Sequence, residues 1–324
     1  MDFNGNIEQQ PKQMPLVSII IPVYNGANYM REAIDSALAQ TYSNIEVIVV
    51  NDGSTDNTEE IALSYGDKIR YFYKDNGGVS SALNLGIREM KGEYFSWLSH
   101  DDKYEPNKVE NQIKLISSYG KNTLALCSTW QIDKNSNLLQ IKKIKDASQT
   151  RFLTWQEGLK SLILHGSFNG CAFLIPKSAF DKCGLFDESL RYSQDLLMWI
   201  KLFLNRYELV CSTGCDVLSR VHDKQLTQTG RSVFHKDCQY MGDVLISDLA
   251  ESSTKEYNFL YYYAKFNAKY NNPQVVKQYI TKGKEKKLIG LRKVLKLKLI
   301  MSYGRIRPLI RRIYYKIFKK VKTQ

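Results

Sequence analysis

The ten residues "LVSIIIPVYN", Leu16 to Asn25, decide the fold. They form a continuous apolar run closed by a proline, an asparagine and the next glycine, which is typical of a strand buried on both faces of a parallel sheet. The segment that follows, "YMREAIDSALAQ" from Tyr29 to Gln40, repeats apolar residues at helical spacing. A buried strand followed directly by an amphipathic helix predicts one βα unit.

The same alternation recurs along the first part of the chain. Further strands are predicted at "IEVIVVNDGS", "IRYFYK", "YFSWLSHDD" and "TLALCSTW", and further helices near Asp56 to Tyr65, at "VSSALNLGIREMKG" and at "PNKVENQIKLISSYG". Ser54 or Thr55 is suited to cap the helix near Asp56. Repeated βα units predict an α/β protein with an open, doubly wound, mostly parallel sheet.

Polar residues follow three of the predicted strands. Tyr24 and Asn25 follow the first strand, Asp52 ends the second, and Asp101 and Asp102 follow the fourth. Because open α/β sheets bind ligands outside the carboxyl ends of their strands, these residues predict a binding site.

The adjacent carboxylates Asp101 and Asp102 should repel each other at the end of a buried strand, so we expect a positive group nearby. The turn after the first strand has neither a Gly-x-Gly-x-x-Gly pattern nor a Walker loop, so a glycine-rich loop does not hold phosphates there. Mg²⁺ and Mn²⁺ prefer carboxylate and phosphate oxygens, which makes a metal site the favoured interpretation. The alternative is a solvated loop or a helix cap.

Asp52 and Tyr24 also have two interpretations each. Asp52 suits the turn in Asn-Asp-Gly-Ser, but its carboxylate would also accept the ring N–H of uracil or thymine, which cytosine lacks. Tyr24 would stack on a base or belong to the core.

The charge of the chain is concentrated at one end. The net charge of the 324 residues is +13, and residues 286–324 hold 14 Lys and Arg and no Asp or Glu. The nearly neutral remainder argues against nucleic-acid binding, which requires a basic face. We find no signal-peptide pattern at Met1 to Pro15 and no apolar run approaching the ~20 residues of a membrane span, so we expect a cytoplasmic protein.

Five motifs then occur in a fixed order between Val17 and His222: "VSIIIPVYNGANYMREAIDSALAQTY", "VIVVNDGSTDNT", "NGGVSSALNLGI", "HDDKYEP" and "GLFDESLRYSQDLLMWIKL". This order resembles the family 2 glycosyltransferases, inverting enzymes of the GT-A fold, and in particular those that build bacterial cell-surface polysaccharides. The resemblance implies a Rossmann-like nucleotide-binding half, an acceptor half and a nucleoside-diphosphate sugar donor.

The resemblance also implies roles for individual residues. It makes Asp102 a ligand of Mn²⁺ or Mg²⁺, and its donor-binding residues are Pro22, Tyr24, Asn25, Asp52 and Asp101, with Asp52 at the base and Asp101 nearer the ribose. Asp195 in "SQDLLMW" matches the general base, and His222 matches a histidine that faces the metal or the diphosphate.

Without the resemblance, the sequence leaves the roles of Asp195 and His222 undecided. Asp195 opens an apolar helical stretch, where the helix dipole favours its charged, basic form, but a helix cap has the same sequence pattern. His222 is equally compatible with an ordinary neutral imidazole. Gln194 and Leu197 stand where the family usually has acidic residues.

The C-terminal end carries a second pattern. Between Arg305 and Val321, apolar residues recur at helical spacing among basic ones. Such a helix lies on an anionic membrane surface, or packs on its own domain or on a partner. The predicted division is a polar extension at 1–15, a GT-A domain at 16–228, a helical subdomain at 229–285 and a membrane-associating tail at 286–324.

The sequence as a whole predicts a metal-dependent, inverting glycosyltransferase. It would move sugar from a UDP- or dTDP-type donor to a lipid-linked or polysaccharide acceptor, at the inner face of the cell membrane. One alternative is a non-catalytic nucleotide-sugar-binding or membrane scaffold protein. A nucleotidyltransferase would need a basic phosphate-binding loop near the first strand, which the sequence does not show.

Overall fold

A computed structural model of the protein describes residues 14–142, 149–165, 168–223, 231–249, 261, 263–265, 267–268 and 273–302. The amphipathic pattern of Arg305 to Val321 and nearly all of the N-terminal extension lie outside these ranges. The chain divides into two compact units. The first is formed by Met1–Phe152, Asn169–Leu185 and Leu209–Val221, and the second by Leu153–Phe168, Phe186–Glu208 and His222–Gln324. The predicted domain boundaries near residues 15, 228 and 285 stay predictions.

Ten strands of the described residues form one sheet. The strands are β1 Val17–Val23, β2 Ile45–Asp52, β3 Arg70–Lys74, β4 Tyr94–Trp97, β5 Lys103–Tyr104, β6 Thr123–Ile132, β7 Leu138–Lys142, β8 Arg151–Leu153, β9 Phe173–Pro176 and β10 Glu208–Arg220. The helices are α1 Met30–Leu38, α2 Thr58–Leu63, α3 Val79–Glu89, α4 Lys108–Ser117, α5 Trp155–His165, α6 Ser178–Cys183, α7 Gln194–Leu204, α8 Arg231–Leu249, α9 Pro273–Glu285 and α10, residues 291–302.

The first four strands form a parallel block in the order β3-β2-β1-β4. The chain adds β2 and β3 on one side of β1 and then returns to place β4 on the other side. This reversal is the topological switch of a doubly wound sheet, so the predicted fold class is confirmed. Beyond β4 the sheet contains antiparallel pairs. Strand β9 is antiparallel to both β4 and β6, β7 is antiparallel to β6, and β5 is antiparallel to β10.

The central strand β1 explains why the chain folds this way. All seven of its residues are buried, as a strand covered on both faces requires. Helix α3 packs closely on it at Gly86, where a Cβ atom would lie only 2.5 Å from Ile20 Cγ2. A glycine is therefore needed for the helix to approach the strand at this distance.

The start of α2 differs from the prediction. The helix begins at Thr58 rather than Asp56, and the Asp56 carboxylate, not Ser54 or Thr55, accepts from the Thr58 N–H at 3.1 Å. The Ser54 and Thr55 hydroxyls instead contact Asn25 in the turn that follows β1: Ser54 Oγ accepts from the Asn25 N–H at 2.9 Å, and the Thr55 hydroxyl donates to Asn25 Oδ1 at 3.4 Å.

The second unit is helical in its described parts. Helices α5 and α7 pack where Gly158 faces Phe203, and a Cβ on Gly158 would lie 2.4 Å from the ring. In α8, Asp237 accepts hydrogen bonds from the N–H groups of Tyr192 and Ser193, so it fixes the segment that leads into α7. None of the helices within the described ranges is long and apolar enough to cross a membrane.

Candidate functional site

The parallel strands of the first unit bring their polar carboxyl ends to one edge of the sheet. Val23 at the end of β1 pairs with Asn51, directly before Asp52, and Ile20 pairs with Trp97 at the end of β4. Tyr24 and Asn25 follow β1, Asp52 is the last residue of β2, and Asp101 and Asp102 follow β4. The predicted positions of these residues at the strand ends are confirmed, and their binding roles stay predictions.

The turn after β1 is tied to the turn after β2. The Asn25 side-chain oxygen accepts from the Thr55 N–H at 2.8 Å, and the Asn25 N–H donates to Ser54 Oγ at 2.9 Å. Asn25 adopts a φ of 49°, in the left-handed region that asparagine tolerates better than most residues. Its amide oxygen therefore shapes the loop, while contact with a donor stays a prediction.

Tyr24 and Pro22 lie at the same strand end but differ in exposure. Pro22 is buried within β1, whereas Tyr24 is 49% exposed. The exposed ring of Tyr24 is therefore available for stacking, and the alternative that it is a core residue does not fit.

Asp52 is buried and already has three hydrogen-bond donors. Its carboxylate accepts from Lys74 Nζ at 2.8 Å, from the Gly77 N–H at 3.0 Å and from the Gly78 N–H at 2.7 Å. Two of these donors are backbone groups at the start of α3, where the helix dipole also favours a negative charge. Because a carboxylate has about four acceptor positions, roughly one remains for a base N–H.

Asp102 is the most unusual titratable group of this edge. It is 5% exposed, its Oδ1 accepts from the Arg220 N–H at 2.8 Å, and the Cys171 thiol lies 3.4 Å from its Oδ2. Burial, and then the neighbouring charge of Asp101, raise the pKa of Asp102 to about 8. The repulsion expected from the sequence is therefore present.

The positive group expected beside the pair is Arg220, at the end of β10. Its side chain is fully buried, and its Nε donates to the Asp101 carbonyl at 2.8 Å. Its guanidinium also reaches Glu32 of α1 at 3.1 Å and lies 4.3 Å from the centroid of the Tyr29 ring. Arg220 thus connects α1, β10 and the loop that carries the two carboxylates.

The same guanidinium holds the turn between β6 and β7. It donates to Ser136 Oγ at 3.0 Å and to the Asp133 carbonyl at 3.3 Å. Sequence reasoning missed Arg220, and the signal that the sequence offered was a charged residue two positions before His222, at the end of β10.

A second buried cation lies behind β4. Lys108 donates to Ser96 Oγ at 2.5 Å and to the Phe173 carbonyl at 3.2 Å, and its Nζ lies 4.2 Å from the centroid of the Tyr104 ring. Burial lowers the pKa of Lys108 to about 8. The Tyr104 hydroxyl donates to the Trp97 carbonyl at 2.5 Å, so this network supports the strand that leads to Asp102.

Within the described ranges, no group of three or more His, Cys, Asp or Glu side chains could hold a metal ion by itself. The surroundings of Asp102 nevertheless fit a divalent cation whose other ligands come from a substrate. A cation next to Asp102 would favour its ionised form, which burial now disfavours. Mg²⁺ and Mn²⁺ commonly bind through one or two carboxylates together with substrate phosphates.

Asp195 and His222 belong to the second unit. Asp195 lies in the first turn of α7, as predicted, and its Oδ1 accepts from the Leu196 N–H at 2.6 Å. It is half-buried, and the helix dipole favours its charged form. His222 is half-buried and follows the end of β10. The roles predicted for both residues stay predictions.

The strand order β3-β2-β1-β4, with carboxylates at the strand ends, defines a doubly wound α/β protein. Proteins of this class bind their ligands at the topological switch, which here lies between β1 and β4. The family model for glycosyl transferase family 2 matches residues 18–188. An uncharacterized glycosyltransferase of Rickettsia typhi (strain ATCC VR-144 / Wilmington) is 55% identical over 223 residues, which cover 68% of this chain and 69% of that protein. The chain belongs to glycosyl transferase family 2, and the predicted enzyme class, a glycosyltransferase, is confirmed.

Solved structures agree on the fold. The crystal structure of S. aureus TarS 1-349 in complex with UDP-GlcNAc is similar with a TM-score of 0.66 and 18% identity, over 89% of this chain and 87% of that chain. A longer TarS structure is similar with a TM-score of 0.64 and 18% identity, over 90% of this chain and 53% of that chain. This chain therefore spans about half the length of the longer TarS chain. The likeness supports the GT-A fold.

Proposed function

We propose that the protein is an inverting, metal-dependent glycosyltransferase that uses a UDP- or dTDP-sugar as donor. The observation that carries the proposal is Asp102, a carboxylate buried at the end of β4 whose pKa is raised to about 8. A buried carboxylate of this kind destabilises the fold when it is ionised, which suggests that it has a functional role. A bound cation would stabilise its ionised form. The similarity to TarS, which was crystallised with UDP-GlcNAc, supports the donor class.

The donor would bind along the edge of the first unit. The exposed ring of Tyr24 would stack on the base, next to Pro22, and the remaining acceptor position of Asp52 would take the N–H of uracil or thymine. Asp101 would lie near the ribose. Because cytosine has no ring N–H, we expect UDP to bind at least tenfold more tightly than CDP.

Asp102 would hold Mn²⁺ or Mg²⁺ together with the diphosphate oxygens, and His222 is the second candidate ligand. When bound, the ion would stabilise the negative charge of the departing nucleoside diphosphate. The protein's own contribution is to hold Asp102 in place, through the backbone N–H of Arg220 and the contact with Cys171.

Asp195 would take the proton from the acceptor hydroxyl as that hydroxyl attacks the anomeric carbon. The bond from the anomeric carbon to the diphosphate breaks as the new glycosidic bond forms, which inverts the configuration and requires one base. The place of Asp195 in the first turn of α7 supports this role, because the N-terminal end of a helix stabilises a negatively charged side chain.

The experiment combines a donor panel with two matched variants. Purified protein with Mn²⁺ is screened against UDP-, dTDP- and CDP-sugars by the release of free nucleoside diphosphate. Asp195→Asn should keep donor affinity and lose at least a hundredfold in turnover, since general-base catalysis typically contributes that much. Asp181→Asn, an exposed aspartate in the first turn of α6, should behave as wild type.

The alternative of a non-catalytic nucleotide-sugar-binding or scaffold protein predicts another outcome. Donor would then bind to wild type and to Asp195→Asn alike, with no diphosphate release from either protein. That result would contradict the proposed chemistry.

We also propose a cytoplasmic protein that is peripheral at the inner face of the cell membrane, with a lipid-linked or glycan acceptor. The concentration of positive charge at residues 286–324 supports this location, because anionic lipids attract such segments.

A further inference from the structure

Helix α10, residues 291–302, exposes a row of leucines. Leu291 is 72% exposed, Leu295 is 56% exposed and Leu299 is 72% exposed. Residues four apart lie on the same face of a helix, so the three side chains form one apolar ridge. The helix does have a buried side, on which Val294 is 3% exposed and Leu297 is 0% exposed. The leucine ridge is therefore a second apolar surface, distinct from the one that packs against the protein.

Basic residues border the ridge on both sides. Arg292 and Lys296 each follow a ridge leucine by one position, and Lys298 precedes Leu299 by one. Since consecutive helical residues are separated by about 100°, the first two lie on one side of the ridge and the third lies on the other. All three are exposed. Long basic side chains next to apolar ones can lay their stems on hydrocarbon while their charges reach phosphate groups.

The charge on this face selects among possible occupants. Residues 286–324 contain no acidic residue, so the ridge has no negative neighbours within that stretch of sequence. In a symmetric contact with a second copy the same surface faces itself, so the cations Arg292, Lys296 and Lys298 would meet the cations of the other copy, and like charges repel. An anionic bilayer instead offers acyl chains to the leucines and phosphate groups to the cations.

We propose that α10 docks on an anionic lipid bilayer, with Leu291, Leu295 and Leu299 inserted at the level of the headgroups. The ridge extends from Leu291 to Leu299, a rise of ~12 Å along the helix, so the insertion is shallow and the helix axis lies in the plane of the membrane. This inference deepens the proposed membrane location by naming the contact surface. The basic pattern of Arg305 to Val321 is a separate segment, and the test below distinguishes the two.

The test is flotation of the full-length protein with vesicles of phosphatidylcholine alone, or of phosphatidylcholine with phosphatidylglycerol. Wild type should bind the anionic vesicles at least tenfold more tightly than the neutral ones. A triple variant, Leu291→Gln with Leu295→Gln and Leu299→Gln, should lose at least tenfold in affinity for the anionic vesicles. The matched control is Leu138→Gln with Leu139→Gln on β7, where the two leucines are 61% and 56% exposed. This control should bind the vesicles as wild type does.

A second variant separates the charges from the leucines. The second triple variant, Arg292→Gln with Lys296→Gln and Lys298→Gln, should bind the anionic vesicles more weakly than wild type. Its binding should also depend less on salt, because salt screens the exposed charges that this variant has lost. Thermal unfolding and donor turnover in solution should be unchanged in both triple variants. Turnover therefore tests the transferase proposal, and vesicle binding tests the α10 surface.

Two results would overturn the inference. One is anionic-vesicle binding by the leucine variant that equals wild type, which would assign the interaction to another segment. The other result is a wild type that light scattering shows to be dimeric, together with a leucine variant that is monomeric and still binds vesicles as wild type does. That result would make the ridge a contact between copies of the chain.

Discussion

Replacing Asp102 by asparagine should stabilise the metal-free protein at pH 8. In wild type, Asp102 Oδ1 accepts from the Arg220 N–H while Oδ2 faces the Cys171 thiol. An asparagine oxygen can accept from the same N–H, and the asparagine amide can point toward the sulfur. The substitution therefore keeps the local contacts and removes the charge.

The magnitude follows from the pKa of Asp102. In the folded protein this pKa is raised from 3.8 to about 8. Below pH 4 both the folded and the unfolded state hold the proton, so the group has no effect on stability. Between pH 4 and 8 the unfolded state releases the proton and the folded state keeps it, so stability falls as the pH rises, by up to about 1.4 kcal/mol per pH unit. Over this range the upper limit is about 6 kcal/mol, and entry of water reduces it, so we expect about 2 kcal/mol at pH 8.

The assay is urea unfolding of wild type and Asp102→Asn at pH 5 and pH 8, with Asp181→Asn as the control for loss of an exposed carboxylate. Wild type should lose more stability between the two pH values than Asp102→Asn does. Added Mn²⁺ should stabilise wild type and not Asp102→Asn. If Asp102→Asn is less stable than wild type at pH 8, or both proteins share one pH dependence, the reasoning about this carboxylate is wrong.

Two further predictions concern the buried cations. Arg220→Met should lower the free energy of unfolding by about 3 kcal/mol in a urea titration, because it leaves the Asp101 carbonyl without its buried donor. The control is Arg70→Met, which removes a partly exposed ion pair and should lower the free energy of unfolding by about 1 kcal/mol or less. The pKa of Lys108 is lowered to about 8, so between pH 8 and 10 only the unfolded state holds the proton, and the free energy of unfolding of wild type should rise with pH. Lys108→Met should not show this rise when unfolding is measured across the same pH range. If the variant keeps the rise, Lys108 is not its cause.

Much of the first unit was predictable because its strands are buried on both faces. Strands of this kind appear in a sequence as continuous apolar runs, and β1, β2 and β4 were located from them. The carboxyl ends of parallel strands meet at one edge, so the strand-end positions of Tyr24, Asp52 and Asp102 followed from the strand assignment alone. Helix α7 followed in the same way from the apolar helical stretch that Asp195 was predicted to open, and the helix begins one residue earlier, at Gln194.

The rest depends on contacts between residues far apart in the sequence. β5 has only two residues, and its pairing with Val217 and Leu218 of β10 leaves no periodic pattern to find. The Ser54 and Thr55 side chains look like helix caps in isolation, but both contact the distant Asn25, while Asp56 accepts from the Thr58 N–H. Arg220 is similar, since its partners Glu32 and Ser136 lie 188 and 84 positions away.

The arrangement around Asp102 is best understood as a local conflict that the fold maintains. An asparagine or serine would satisfy the Arg220 N–H without a buried charge, so folding alone gives no reason for an aspartate here. The protein also places Asp101 next to it, which raises the pKa further. Arg220 lowers the pKa of Asp102 less than burial and Asp101 raise it, since its side chain donates to the Asp101 backbone carbonyl and its backbone N–H donates to Asp102. Residues that are unfavourable for the fold concentrate at functional sites, and this one becomes favourable once a divalent cation is present. Ionising Asp102 should therefore destabilise the metal-free protein, and the same carboxylate should be the reason that metal stabilises it.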